Sequence, residues 1–301
     1  MTEAASLFIS LDAQVRGELV SQQVLHLLEH HWGHSVGTAP RRTITLVHGA
    51  LPAVPDAPPL DILVARTSLQ VWAAGDELWL SNELHFGLQG QDVQLTFGAV
   101  PVSGEAWLLA FTEAHRAAGW LPLHAAVLMQ AGRGVALAGV SGAGKSTAAL
   151  RLAAAGVTVL SEDHTWVHPQ SRLTVGLDQY LRTFDDSLQA FAPQWLAADL
   201  GRDPHGKRTL PLTQPGEQTT LNDLLVFGLL PVPSPAHKVR ALWETVGVPL
   251  TQTGRRATAA GINALFPYLT IAGVDRENVV SEVQQRLKAP SPPATVPLPE
   301  Q

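Results

Sequence analysis

The sequence predicts an α/β protein in two parts: a smaller, mostly β N-terminal domain over residues 1–119 and a layered domain over 120–288 whose sheet is covered by helices. Two observations carry that reading. Before residue 100, short runs rich in β-branched and aromatic residues are separated by turn formers such as Gly75-Asp76 and Gly90, a spacing that suits a small sheet better than helices. From Leu123 onward, strand-like and helix-like runs alternate. A chain of 301 residues, 46% of them hydrophobic, can bury the two cores this requires.

In chain order, residues 12–31 carry a helical pattern ahead of the sheet, and strands are expected at 43–47, 62–64, 70–73, 77–80 and 93–97, with Trp72 and Trp79 inside them. Residues 51–60 hold Pro52, Pro55, Pro58 and Pro59, which suit neither a helix interior nor a central strand, so the segment reads as a surface loop. Residues 104–118 set Trp107, Leu108, Phe111 and Ala114 near helical spacing and end at Gly119, where the domain boundary is drawn. A strand at 134–138 leads to a helix at 146–155 that Gly156 stops. Val157-Thr-Val-Leu160 is β-branched and apolar and is expected as a buried parallel strand. The tail over 289–301 has five prolines among Ser, Ala and Thr; it cannot offset its ordering entropy by burial and is expected to be disordered.

A formal net charge of −6 and a pI near 6.0 argue against nucleic acid or an anionic membrane as partner, because lysines and arginines drive that binding. The longest apolar runs stop well short of the roughly eighteen residues that span a bilayer. Residues 1–10 have neither the basic start nor the apolar stretch of a signal peptide, so a cytoplasmic protein is expected. With no cysteine, thiolate metal sites and cysteine nucleophiles are excluded.

The run Gly139, Val140, Ser141, Gly142, Ala143, Gly144, Lys145, Ser146 fits G-x-x-x-x-G-K-[ST], the pattern of a P-loop, with a strand before it and a helix after it. Its glycines let successive backbone N–H groups converge on phosphate oxygens, and the following helix directs its positive end at the same charge. Lys145 would meet the β and γ phosphates of ATP, Ser146 would offer its hydroxyl to Mg²⁺, and Thr147 would assist the phosphate contacts. The next strand delivers Ser161-Glu162-Asp163-His164 to the edge where the phosphates would lie. There one carboxylate can hold Mg²⁺ and a second can accept a proton from an attacking hydroxyl.

Taken together, Leu123-His-Ala-Ala-Val-Leu128, the phosphate loop and Leu160-Ser-Glu-Asp163 resemble, in order and spacing, the catalytic domain of HPr serine kinases over residues 121–167. The resemblance implies a P-loop catalytic domain of the HPr kinase/phosphoenolpyruvate carboxykinase type and a kinase that moves the γ-phosphoryl group of ATP to a hydroxyl. The acceptor would be a protein, a peptide or a small molecule. By position, Glu162 would be the catalytic base, Asp163 the metal-associated acid, and His124 the histidine near the γ-phosphate. HPr kinases assemble, so a homo-oligomer is a further implication. Two departures are visible: Glu162 stands where the family has an aspartate, and the family's Glu-x-Arg-Gly-Leu-Gly segment is missing, so neither HPr as substrate nor the reverse phosphorylase reaction is carried over.

An ATP-binding regulatory module without phosphotransfer is the alternative that the glutamate would permit, and a carboxykinase acting on a small organic acid is a third. Three polar groups stay outside the catalytic set. Lys207 and Arg208 in His205-Gly-Lys-Arg208 could clamp phosphate but read equally as a solvated loop, and Arg255-Arg256 reads as surface charge. His26-Leu-Leu-Glu-His30 fits the H-x-x-E-H pattern of some zinc sites, yet no third ligand is identified and a solvated helix face explains it more simply.

Overall fold

The structure, a computed structural model, describes residues 5–18, 20–64, 67–212 and 217–289. It is mixed α/β with several sheets, and the chain forms two compact units, residues 1–120 with 248–260 and residues 121–247 with 261–301. The Pro-rich tail lies, from residue 290 on, outside the described residues.

In the first unit β1 (Ala5–Ser10) and β2 (Ala13–Glu18) precede α1 (Gln22–Trp32). Then come β3 (Arg42–His48), β4 (Leu60–Val64), β5 (Thr67–Ala74), β6 (Glu77–Leu80), β7 (Leu84–Gln89), β8 (Asp92–Phe97) and α2 (Gly104–Ala117). The strands form one sheet of order β1-β2-β3-β8-β7-β6-β5-β4, with β3 parallel to both of its neighbours and the other pairs antiparallel. The helical pattern expected over 12–31 holds only from residue 22. Ala13, Val15 and Gly17 are buried while Gln14 and Arg16 are half-exposed, and this period of two fits residues 13–18 between β1 and β3 as a strand. The helix starts where the Ser21 hydroxyl accepts the Val24 N–H. Its buried Trp32 stacks on Phe111 of α2 with ring centroids 5.0 Å apart.

The second unit contains β9 (Leu121–Gln130), β10 (Arg133–Ala138), α3 (Lys145–Ala154), β11 (Thr158–Ser161), β12 (His164–Val167) and β13 (Leu173–Gly176). It continues with β14 (Tyr180–Thr183), α4 (Asp185–Phe191), β15 (Gly201–Arg202), β16 (Arg208–Pro211), β17 (Gln218–Phe227) and α5 (Pro235–Val246). Then follow α6 (Gln252–Leu265), whose length crosses the division between the units, β18 (Thr270–Val274) and α7 (Val279–Lys288). Seven strands share one sheet, and the pairings β9-β10-β17-β13-β12-β9 close into a ring. β14, β15 and β16 form a separate small sheet.

Alternate residues of β9 and β10 feed two cores. Ala126, Leu128, Val135 and Leu137 pack with α3 and α7, whereas Leu123, Ala125, Val127 and Ala136 pack with Leu242 of α5 and Ile262 of α6. Both faces of these strands are therefore covered, which is why they read as nearly continuous apolar runs. β11 is buried as expected but antiparallel to its partner β9, not parallel. The expectation treated consecutive strands around a helix as neighbours; here β9 lies between β10 and β11, so those two share a direction without pairing. Among the described residues no helix is long and apolar enough to cross a membrane.

Candidate phosphate-binding site

The glycine-rich loop joins the buried strand β10 to α3, and two glycines make its path possible. Gly142 has φ 79° and Gly144 φ 121°, conformations that L side chains rarely adopt. Gly144 is also the residue before α3, whose first turn has neither a side-chain cap nor an acidic residue. The positive end of the helix dipole is thus left without a compensating anion of its own. On the outer side Arg276 braces the loop, its guanidinium donating to the carbonyls of Gly142 at 2.6 Å and Ala143 at 3.0 Å.

Lys145 turns inward. Its Nζ donates to the Gly139 carbonyl at 2.7 Å and lies 3.3 Å from Nε2 of His124 on β9. Burial pulls the ammonium below its ordinary pKa, with Asp163 and Glu162 opposing that shift. Because a lysine only donates, the contact fixes His124 Nε2 as acceptor, so the ring proton sits on Nδ1 and points at Asp163 Oδ1, 3.0 Å away. The imidazole is held below its usual pKa, first by burial and then by the positive charge of Lys145 and His164, against the raising effect of Asp163 and Asp178. A neutral imidazole bridging lysine and aspartate is the arrangement these shifts favour.

The other acid faces the next residue of the loop. Ser146 Oγ donates to Glu162 Oε1 at 2.7 Å, and the second carboxylate oxygen of Glu162 accepts from Arg182 Nε at 2.8 Å and from the Arg182 N–H at 3.2 Å. Glu162 has 6% of its side chain exposed and Asp163 30%. Lys145, Ser146, His124, Glu162 and Asp163, all singled out from sequence, are therefore brought together. Ser146 pairs with Glu162, however, and Asp163 with His124.

The backbone explains how two adjacent acids reach two adjacent loop residues. From Ser161 onward one register runs along β9, with Ser161 opposite Val127 and His164 opposite His124, β11 having shifted by one residue between Val159 and Ser161. Glu162 and Asp163 are a two-residue interruption in that track, and their N–H groups turn to Oδ2 of Asp178, at 2.9 and 2.7 Å. Asp178 and Arg182 have no counterpart in the sequence reading. The signal for Asp178 was the hairpin of β12 and β13: Thr165 pairs with Gly176, and extending that register sets residue 178 across from residue 163.

The remaining polar groups are engaged elsewhere. Arg208 and Arg202 both bind Asp185, at 2.8 and 2.6 Å, and Lys207 lies over the Phe184 ring. In the first unit, the Arg255 Nε donates to the Pro249 carbonyl at 3.4 Å. His26 and His30 have ring centroids 6.1 Å apart, and among the described residues no group of three or more His, Asp or Glu is set to hold a metal ion.

A family model described as SynChlorMet cassette protein ScmC matches residues 102–175, about a quarter of the chain. The matched stretch contains His124, the whole glycine-rich loop, Glu162 and Asp163, and it stops before Asp178 and Arg182. No curated protein matches the chain.

Proposed function

We propose that the second unit binds Mg·ATP and transfers its γ-phosphoryl group to a hydroxyl acceptor, with a P-loop domain of the HPr kinase/phosphoenolpyruvate carboxykinase type as its fold. One observation carries the reading: consecutive loop residues, Lys145 and Ser146, each meet the system of one of two consecutive acids, Asp163 through His124 and Glu162 directly. Phosphoryl transfer depends mostly on positioning and charge stabilisation, and this is a set of groups that could supply both.

The contacts favour roles opposite to those implied by family position. Ser146 and Glu162 would hold Mg²⁺: they offer hard oxygens side by side, and an ion that keeps waters and takes phosphate oxygens needs few protein ligands. When bound, the ion would supply charge neutralisation to the phosphates. Lys145 binds phosphate oxygens. Asp163, the more exposed acid and the one backed by His124, accepts the acceptor's proton as its oxygen bonds to the γ-phosphorus and the bond to the ADP oxygen breaks. Arg182 holds Glu162 in its orientation.

The test is transfer of label from γ-labelled ATP to acceptors in nucleotide-depleted lysate. The wild type is expected to label one protein or metabolite, Lys145→Ala and Asp163→Asn to lower the rate by about 10²-fold or more, and Glu162→Gln to raise the Mg²⁺ requirement. Tight ATP binding by the wild type with no label transferred would instead support the regulatory-module reading. The observation that favours that second reading is Glu162 itself, whose carboxylate oxygens are already occupied by Ser146 and Arg182.

A further inference from the structure

We propose, resting on the phosphotransfer reading, that Asp178 is the positioning residue of the acid pair. It would act by drawing the backbone of residues 162 and 163 out of the strand so that Glu162 and Asp163 serve the same side of the site. In an unbroken strand, adjacent side chains point to opposite faces of the sheet. Here Glu162 reaches Ser146 and Asp163 reaches His124, which itself touches Lys145.

What holds the break open is one carboxylate oxygen. Asp178 Oδ2 accepts the N–H groups of Glu162, Asp163 and His164, at 2.9, 2.7 and 2.8 Å, and the Ser161 hydroxyl at 2.6 Å. Three successive N–H groups converge on an anion, the geometry of a backbone nest, but the anion is internal to the chain. The other oxygen faces Arg182 Nη2 at 3.5 Å and His164 Nδ1 at 3.9 Å. The side chain is 5% exposed. Burial alone would raise its pKa; the charge of His164 and the hydrogen bonds from Ser161, His164 and Asp163 outweigh that and keep it ionised. Glycine at 176 completes the device, since a Cβ there would lie 2.2 Å from the Leu160 carbonyl oxygen, so only glycine lets the strand leading to Asp178 come this close.

Two measurements on the full chain distinguish the role of Asp178 from phosphotransfer itself. The first is the NMR titration of His124 without nucleotide, which needs no activity. The groups that face this ring are Asp163, Lys145, His164 and Asp178, and Ser161→Ala alters none of their charges while removing one of the four donors to Asp178 Oδ2. If Asp178 sets the corner, Asp163 loosens in this variant and His124 titrates at lower pH than in wild type. The second is label transfer: Asp178→Asn is expected to lower kcat by about 10²-fold and Ser161→Ala by about tenfold, with KM for Mg·ATP within about threefold of wild type. Folded variants that leave both the His124 titration and kcat at wild-type values overturn the proposal. Should Asp178→Asn fail to fold, Ser161→Ala decides. A wild type that transfers no phosphoryl group removes the phosphotransfer reading, while the His124 titration still judges whether Asp178 sets the corner.

Discussion

At the scale of single residues, the chain buries titratable groups outside the candidate site, and His115 on α2 is the clearest. Its ring is fully buried between Ser10 Oγ, 2.9 Å from Nε2, and the Arg42 guanidinium at Nδ1. Burial, and then the positive charge of Arg42, hold its pKa well below the ordinary histidine value of 6.5. The folded pKa is thus the lower one, so folding favours the neutral ring. That contribution is fully present above pH 6.5 and is lost as pH falls below it toward the folded value. Thermal unfolding of wild type and His115→Gln at pH 7.5 and 5.5 checks this: the midpoint of the wild type should drop more on acidification than that of the variant. Equal drops would mean that other groups dominate the acid response.

At the scale of elements, the periodicity of the sequence was a good guide wherever one element owned its residues. β3, β6, β8 and α2 lie within a residue or two of their expected bounds, because turn formers or a cap mark their ends. Residues 12–31 misled because a strand of period two runs into a helix within three residues of its end, and the apolar positions of both overlap a helical stripe. The parallel sense expected of β11 failed for a different reason: strand order is a long-range property, and nothing local tells that β9 intervenes. The close approach at Gly176 belongs to this scale as well. Gly176→Ala forces β13 away from β11 and is expected to destabilise the protein by about 1–3 kcal/mol. Urea unfolding measures that loss, and a variant as stable as wild type would show that the two strands can separate without cost.

At the scale of the whole molecule, the candidate site was legible as a set of residues but not as a set of pairs. Loop, acids and histidine stand close in sequence and follow a recognisable order, and the family match over 102–175 covers the same stretch. Asp178 and Arg182 lie beyond it: Asp178 arrives by a hairpin register and accepts from backbone, and Arg182 donates to the Glu162 carboxylate, contacts that leave no motif. The roles of Glu162 and Asp163 depend on which acid each loop residue meets, a matter of a fraction of an ångström that spacing alone does not determine.

Calorimetric titration of wild type and Lys145→Ala with Mg·ATP asks whether Lys145 and the glycine-rich loop bind the nucleotide, as the phosphotransfer reading requires. Saturable binding at one site per chain in the wild type, lost or weakened by about 10²-fold in the variant, is the expected result. No binding by the wild type, or equal binding by both proteins, would contradict it.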